Sequence, residues 1–320
     1  MYPRLLADIG ATNARFCLQV DENEFSQTIV LPCDDFKDPA EAAKEFLDQM
    51  GNPKVHFGAF AVANPILGDK LVMTNNPWRF SCSATQEELG FAALYFLNDF
   101  TAQALAILSL KPEVFHKIGG GEVNNKLVRA VLGPGTGLGV SGLVPDGRGE
   151  DIALACEGGH TGFSPRDERE SAIWQIVKNE IQMPVSAERL MCGSGLMLIY
   201  RALAKLHHAP ELCQKPADIT ANIETDPLAA ETVDAFCSMF GSFCADVVLT
   251  MGARGGVYIC GGIIPRILPQ LLNSNFRKRF ENRDRLNSFL EPVPIMVVMD
   301  TLSGLVGAAN YLKRALTMQE

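Results

Sequence analysis

No C-x-x-C pair and no Cys/His cluster of metal-site spacing occurs in this chain, whose nine cysteines are irregularly placed. No spacing therefore points to a zinc-type site, and the cysteines read as small buried residues of a reducing compartment. A G-x-x-x-x-G-K-[ST] segment is also missing, which excludes a P-loop. No uninterrupted apolar run approaches the roughly 18 to 20 residues of a bilayer span, so the expectation is no membrane role. The opening MYPRLLADIGATN lacks the charged start, apolar run and small-residue cleavage site of a secretory signal, and the expected location is cytoplasmic. Charge of one sign accumulates nowhere. The 28 basic and 37 acidic side chains are scattered, and their net charge of -9 disfavours nucleic acid and anionic lipid as partners. The one basic run, Arg277-Lys278-Arg279, is followed by Glu281 and Asp284 and reads as a solvated helix face. His207-His208 reads as a polar helix end.

What is present is the material of a packed globule. Hydrophobic residues make up 47% and charged residues 20%, far from the composition of disorder. At 320 residues the chain exceeds the size at which one core usually stops growing, so two domains with a cleft between them are expected. Leu5 to Leu18 is apolar on both sides of Asp8-Ile9-Gly10-Ala11-Thr12-Asn13, which predicts two strands joined by a tight turn. A helix over Pro39 to Met50, a strand over Phe57 to Ala63, a helix over Ala84 to Leu89 and a strand over Leu94 to Leu97 follow. That strand ends at Asn98-Asp99, and Thr101 to Leu110 reads as a helix. Past Lys111-Pro112 a second unit starts in the same way, with a strand Leu127 to Leu132 running into Gly133 to Gly139 and out through Val140 to Val144. Helices over Glu168 to Ile181, Gly195 to Lys205 and Leu228 to Met251 follow. A strand Gly256 to Cys260 leads into Gly261-Gly262 and a helix with Pro265 in its first turn. A last strand Pro294 to Met299 precedes the helix Leu302 to Leu316. The predicted division is a small α/β domain over 1–110, with the C-terminal helix 301–320 packing back on it, and a large α/β domain over 111–300.

Three glycine turns at strand ends are the most distinct chemical feature. Each exposes backbone N–H groups that a phosphate could approach without meeting a bulky Cβ, and Thr12, Asn13 and Thr136 add side-chain donors. Asp8 beside such phosphates makes sense if a cation such as Mg²⁺ offsets the repulsion. Gly137-x-Gly139-x-x-Gly142 with Glu157 twenty residues beyond Gly137 matches the dinucleotide fingerprint, but Leu143 to Gly149 reads as a strand end and turn where that fold needs a helix. Asp99, at the carboxyl end of a strand, stands where open α/β sheets place ligands. A helix cap by Asp99 or Thr101 explains the same segment equally well. Glu157-Gly158-Gly159-His160 offers a carboxylate able to accept from two vicinal hydroxyls and an imidazole able to donate or accept, although a surface glutamate and a satisfied loop histidine account for it too.

Taken together and in order, Asp8 to Asn13, Thr74-Asn75 with Trp78, Asn98-Asp99-Phe100-Thr101, Gly133 to Gly139, Glu157-Gly158-Gly159-His160, Ser186-Ala187-Glu188-Arg189 and Gly261 to Pro265 form a joint pattern over nearly the whole chain. The pattern resembles the bacterial glucokinase family of the hexokinase–actin superfamily. The resemblance implies a two-domain actin-like (ribonuclease H-like) α/β ATPase fold with a central cleft. It implies Asp99 as the catalytic base and Asn98, Glu157, His160 and Glu188 as the residues that hold glucose hydroxyls. It implies ATP held by the turn of Asp8, Gly10, Ala11, Thr12 and Asn13, by Gly135, Thr136 and Gly137, and by Gly261 and Gly262. Mg²⁺ would accompany ATP near Asp8 without a dedicated protein metal site, and the chain would form a homodimer. Ala11 departs from the many members with glycine there, which is harmless if the local φ is negative. The zinc cysteines of the related repressor and sugar-kinase branch are absent.

The implied reaction is transfer of the γ-phosphoryl of ATP to the 6-hydroxyl of glucose, carried mainly by alignment and charge stabilisation because its transition state is loose. The alternatives are a sugar-responsive regulator of the same fold, a kinase for another hexose, and an actin-like ATPase. The turn at Asp8 leaves no room ahead of it for the DNA-binding helix pair of such a regulator. An actin-like ATPase has no use for the set Asn98, Glu157, His160 and Glu188.

Overall fold

The computed structural model describes residues 1–74 and 76–318. Two compact units divide the chain: Met1–Lys111 with Ala153–Ala155 and the segment from Asp300 onward, and Pro112–Ile152 with Cys156–Met299.

The first unit opens with β1 (Arg4–Ile9) and β2 (Asn13–Asp21), followed by β3 (Glu24–Phe25), β4 (Ile29–Pro32), α1 (Pro39–Gln49) and β5 (Phe57–Val62). Then come β6 (Lys70–Val72), β7 (Arg79–Ser81), α2 (Cys82–Leu89), β8 (Ala93–Asn98) and α3 (Asp99–Ala106). The local chemistry explains the boundaries. Asp38 caps α1 by accepting from the Glu41 N–H, with Pro39 at a position where no intrahelical donor is needed. Ser81 caps α2, which ends where Gly90 turns left-handed. The sheet runs β3-β2-β1-β5-β8, with β4 on β2; β1 and β2 are antiparallel, while β1, β5 and β8 are parallel. Phe16, Phe46, Phe60 and Trp78 fill the core on one face.

The second unit contains β9 (Phe115–Lys117), β10 (Arg129–Pro134), β11 (Leu138–Pro145), β12 (Asp151–Ala153), α4 (Glu168–Ile181), α5 (Ala187–Leu190), α6 (Gly193–His207), α7 (Pro216–Ala221) and α8 (Pro227–Met251). β13 (Gly256–Ile259), α9 (Leu268–Asn273), α10 (Phe276–Glu281), α11 (Asn287–Leu290) and β14 (Ile295–Val298) complete it. Its sheet order is β12-β11-β10-β13-β14-β9, again an antiparallel hairpin continued by parallel strands. The order β2-β1-β5-β8 and the order β11-β10-β13-β14 are thus the same arrangement built twice. The chain ends in α12 (Ser303–Thr317), which covers β1, β5 and α3 of the first unit through Leu305, Ala308 and Leu312.

Two expectations change, on the 277–279 run and on the helix after Gly262, and the others here hold. α8 is long and apolar enough to cross a membrane by length and composition, a property hidden in the sequence by Asp234 and Asp246, but 83% of its apolar window is buried as the core helix of its unit. The run 277–279 is no solvated face: only Lys278 points outward. Arg277 donates to the Val293 carbonyl (3.0 Å) and the Glu291 carbonyl (2.7 Å), and Arg279 pairs with the fully buried Glu170 and with Asp167. The dinucleotide reading fails because Gly139 and Gly142 lie inside β11. The segment after Gly262 opens as a 3-10 turn at Ile264–Ile267, with α9 beginning only at Leu268. His207 ends α6, and His208 takes the left-handed cap position.

Candidate active site

In the first unit the β1–β2 hairpin closes through the Gly10 N–H donating to the Asn13 carbonyl at 3.0 Å, leaving Ala11 and Thr12 at its tip. Ala11 does not adopt a positive φ, so its methyl group costs no backbone strain. The Ala11 and Thr12 N–H groups find no acceptor among the described residues, and Thr12 is exposed. The carbonyls of the turn are engaged on its other side. The Cys33 N–H donates to the Thr12 carbonyl at 2.8 Å and Asn76 Nδ2 to the Gly10 carbonyl at 3.3 Å. Asn76 is in turn fixed by the Trp78 N–H, and the buried Trp78 indole donates to the carbonyls of Cys33 (3.0 Å) and Phe36 (2.8 Å). The turn therefore presents donors outward from a braced backbone, the arrangement that binds phosphate.

Asp8 lies opposite Arg15 in the hairpin register, 3.4 Å from its guanidinium. Burial pushes its carboxyl pKa up, and Arg15 acts against that rise. The first turn of α12 approaches so closely that a Cβ on Gly304 would stand 3.0 Å from the Asp8 carboxyl carbon.

The parallel register sets Ile9, Val62 and Asn98 in one row across β1, β5 and β8. One residue beyond that row lie Gly10 and Asp99, two strands apart and hence separated by about 10 Å along the sheet edge. Asn98, not Asp99 or Thr101, caps α3: its side-chain oxygen accepts from the N–H groups of Phe100 (2.9 Å) and Thr101 (3.1 Å). Its amide nitrogen has no partner among the described residues, so a donor remains for a ligand. Asp99 is the first helical residue, and its carboxylate accepts from the Phe100 N–H at 2.9 Å, which orients it.

The second unit repeats the plan with a tighter turn. Gly135 donates to the Gly137 carbonyl at 2.8 Å, so Thr136 alone forms the tip. The Thr136 and Gly137 N–H groups have no acceptor among the described residues, and neither do those of Gly261 and Gly262. These pairs are neighbours because β10 and β13 converge. A Cβ on Gly133 would overlap the Cys260 carbonyl, and Gly261, at φ +89°, leaves 2.6 Å between the same position and the Pro134 carbonyl.

Gly158 and Gly159 press flat on β11, where any side chain would strike Val140 or the Leu138 carbonyl, and this places Glu157 and His160 beside the turn. Glu188, on the short α5, reaches both. Its Oε2 accepts from the Leu138 N–H at 2.9 Å and its Oε1 stands 3.8 Å from His160 Nδ1. Desolvation raises the Glu157 pKa, the charge of His160 lowers it and that of Glu188 raises it further.

The structure thus gathers Asp8, Gly10 to Asn13, Asn98 and Asp99 in the first unit. Gly135 to Gly137, Glu157, His160, Glu188, Gly261 and Gly262 gather in the second. Of the Thr74-Asn75 pair, Asn75 lies outside the described residues, while the Thr74 hydroxyl donates to Asn64 at 3.0 Å. Sequence reasoning missed Arg15, Asn76 and Gly304. Only Arg15 left a signal there, since a short hairpin turn after Asp8 implies a partner a few residues beyond it.

A model of the glucokinase family matches residues 5–315. A glucokinase of Campylobacter jejuni subsp. doylei is 47% identical over 318 residues, covering 98% of this chain and 96% of that protein. A Neisseria meningitidis serogroup C glucokinase is 47% identical over 313 residues, covering 97% and 95%. Among solved structures, the glucokinase from an Antarctic psychrotroph superposes with a TM-score of 0.84 at 32% identity, over 98% of this chain and 99% of that one. A ROK family glucokinase from Streptomyces griseus, solved in complex with glucose and AMPPNP, shares the fold at a TM-score of 0.69 and 16% identity, over 98% and 100%.

Proposed function

The chain belongs to the glucokinase family, has the actin-like ATPase fold and phosphorylates glucose with ATP, and we propose that Asp99 is the base that receives the proton of the glucose 6-hydroxyl. The observation that carries this reading is the shared sheet edge, with Asp99 and the turn at Gly10 each one residue past the row Ile9–Val62–Asn98. A carboxylate fixed on a strand end beside a phosphate-type turn can accept a proton as the new O–P bond forms. Asn98, Glu157, His160 and Glu188 hold the sugar hydroxyls. The turns of Gly10 to Asn13, of Gly135 to Gly137 and of Gly261-Gly262 hold ATP through those of their N–H groups that find no acceptor among the described residues, those of Ala11, Thr12, Thr136, Gly137, Gly261 and Gly262.

Mg²⁺ fits beside Asp8, because one carboxylate plus substrate phosphates is how this ion is usually held, and no dedicated acidic cluster is found among the described residues. When bound there it would neutralise charge developing on the phosphates. In the same reading the chain is a cytoplasmic homodimer, which light scattering checks. Which hexoses are accepted besides glucose depends on one or two contacts within the hydroxyl-binding set.

The test is Asp99→Asn, which keeps the acceptor for the Phe100 N–H. We expect turnover to fall about 10²-fold or more with glucose affinity nearly unchanged. Near-normal turnover would remove Asp99 from the mechanism.

A further inference from the structure

Glu188 stands between two groups of residues that the proposed function assigns to different ligands. One carboxylate oxygen accepts the Leu138 N–H, directly after the turn assigned to ATP, and the other faces His160 of the sugar set. A Cβ on Gly137 would lie 2.5 Å from Glu188 Oε2, so turn and carboxylate are in contact with no room between them. Glu157 also feels the Glu188 charge. We infer that Glu188 is a mechanical link between the two ligands: one rigid carboxylate whose two oxygens fix the phosphate turn and a sugar hydroxyl together, so that displacing it from either side disturbs the other. This rests on the assignment of Glu188 to the sugar and of Gly135 to Gly137 to ATP.

A carboxylate is planar and its two oxygens move as one body. If Oε2 shifts to make room at Gly137, Oε1 shifts with it, and the hydroxyl it serves loses its geometry. Coupling of this kind is reciprocal in binding free energy. It also gives Gly137 a role that its neighbour Gly135 lacks, since a Cβ on Gly135 meets nothing within 4 Å. Neither glycine has a positive φ, so alanine is allowed by the backbone at both.

The experiment measures glucose binding by calorimetry in the absence of nucleotide, for Gly137→Ala, Gly135→Ala and Glu188→Ala. Gly137→Ala meets only the end of a flexible side chain and should fold normally, as a melting curve verifies. It should nevertheless weaken glucose binding about fivefold or more, within the usual range of coupling between sites, although it lies in the turn assigned to ATP. Gly135→Ala should leave glucose binding unchanged. Equal glucose affinities for the two glycine variants would overturn the link while leaving the sugar assignment intact. Unchanged binding in Glu188→Ala would overturn the sugar assignment itself. From the other side, AMPPNP binding without glucose should fall more in Glu188→Ala than in Glu188→Gln, whose amide oxygen can still accept from Leu138. Identical losses would count against the link.

Discussion

The two glycine turns occupy the same place in two sheets of the same order, yet only the second adds tight backbone packing to its hydrogen bonds. The turn at Gly10 to Thr12 is braced by main-chain and side-chain hydrogen bonds from Cys33 and Asn76, both of which Trp78 holds in turn. The turn at Gly135 to Gly137 has hydrogen bonds too, with the Gly193 N–H donating to the Gly135 carbonyl at 2.9 Å and the Leu138 N–H to Glu188 at 2.9 Å, but it adds tight backbone contacts around it: Gly133 against Cys260, Gly261 against Pro134 and Gly159 against Leu138. Hydrogen bonds contribute about 1 kcal/mol apiece and can be removed singly. Backbone packed on backbone has no flexible end that can give way, so damage there is abrupt. One turn should therefore respond to mutation in steps and the other all at once.

The sharpest break of that comparison is Gly133→Ala. Its methyl group would occupy the position of the Cys260 carbonyl, separating β10 from β13 and the second turn from Gly261-Gly262. We expect a loss of more than about 4 kcal/mol in unfolding free energy, or no folded second unit, by thermal or denaturant melting. A cost below about 1 kcal/mol would mean that the second turn is as adaptable as the first.

Trp78→Phe is the matching probe of the first turn. It keeps most of the buried ring but removes the donor shared by the Cys33 and Phe36 carbonyls. The expected cost is about 1 to 3 kcal/mol, together with a raised KM for ATP and a nearly unchanged glucose affinity. A glucose effect as large as the ATP effect would show that this bracing serves more than the phosphate turn.

The contrast also marks what could be read from the chain. The hairpins were legible because a short polar or glycine-rich turn between apolar runs has few other solutions, and Asp99 because a carboxylate directly after an apolar strand lands on a sheet edge. The reasons for particular glycines were not legible. Gly133 owes its identity to Cys260, more than a hundred positions away, and no local pattern encodes that encounter. The same holds for Arg279, whose partner Glu170 is 109 positions away and turned an expected surface residue into part of a buried pair. Ala11 could be judged only when its φ was known, and Asn98 emerged as the cap because the helix starts two residues earlier than its apolar pattern suggests.

The smallest effect expected concerns electrostatics, where the units differ again. Each has a carboxylate pushed up in pKa by burial, but Asp8 faces a permanent cation in Arg15, whereas Glu157 faces two titratable neighbours of opposite sign. Ionised, Glu157 can accept from two sugar hydroxyls at once through both oxygens, so glucose binding should weaken as pH falls through its raised pKa. The charge of Glu188 contributes to that rise and His160 opposes it. Glu188→Gln should consequently move the acid limb of glucose binding to lower pH, and His160→Gln should move it to higher pH, each followed by calorimetry without nucleotide. Shifts in the same direction, or none, would mean that the three side chains do not act on one another as their positions imply. Arg15→Met offers the contrast: removing the guanidinium that opposes the effect of burial should push the Asp8 pKa further up in the absence of nucleotide and Mg²⁺.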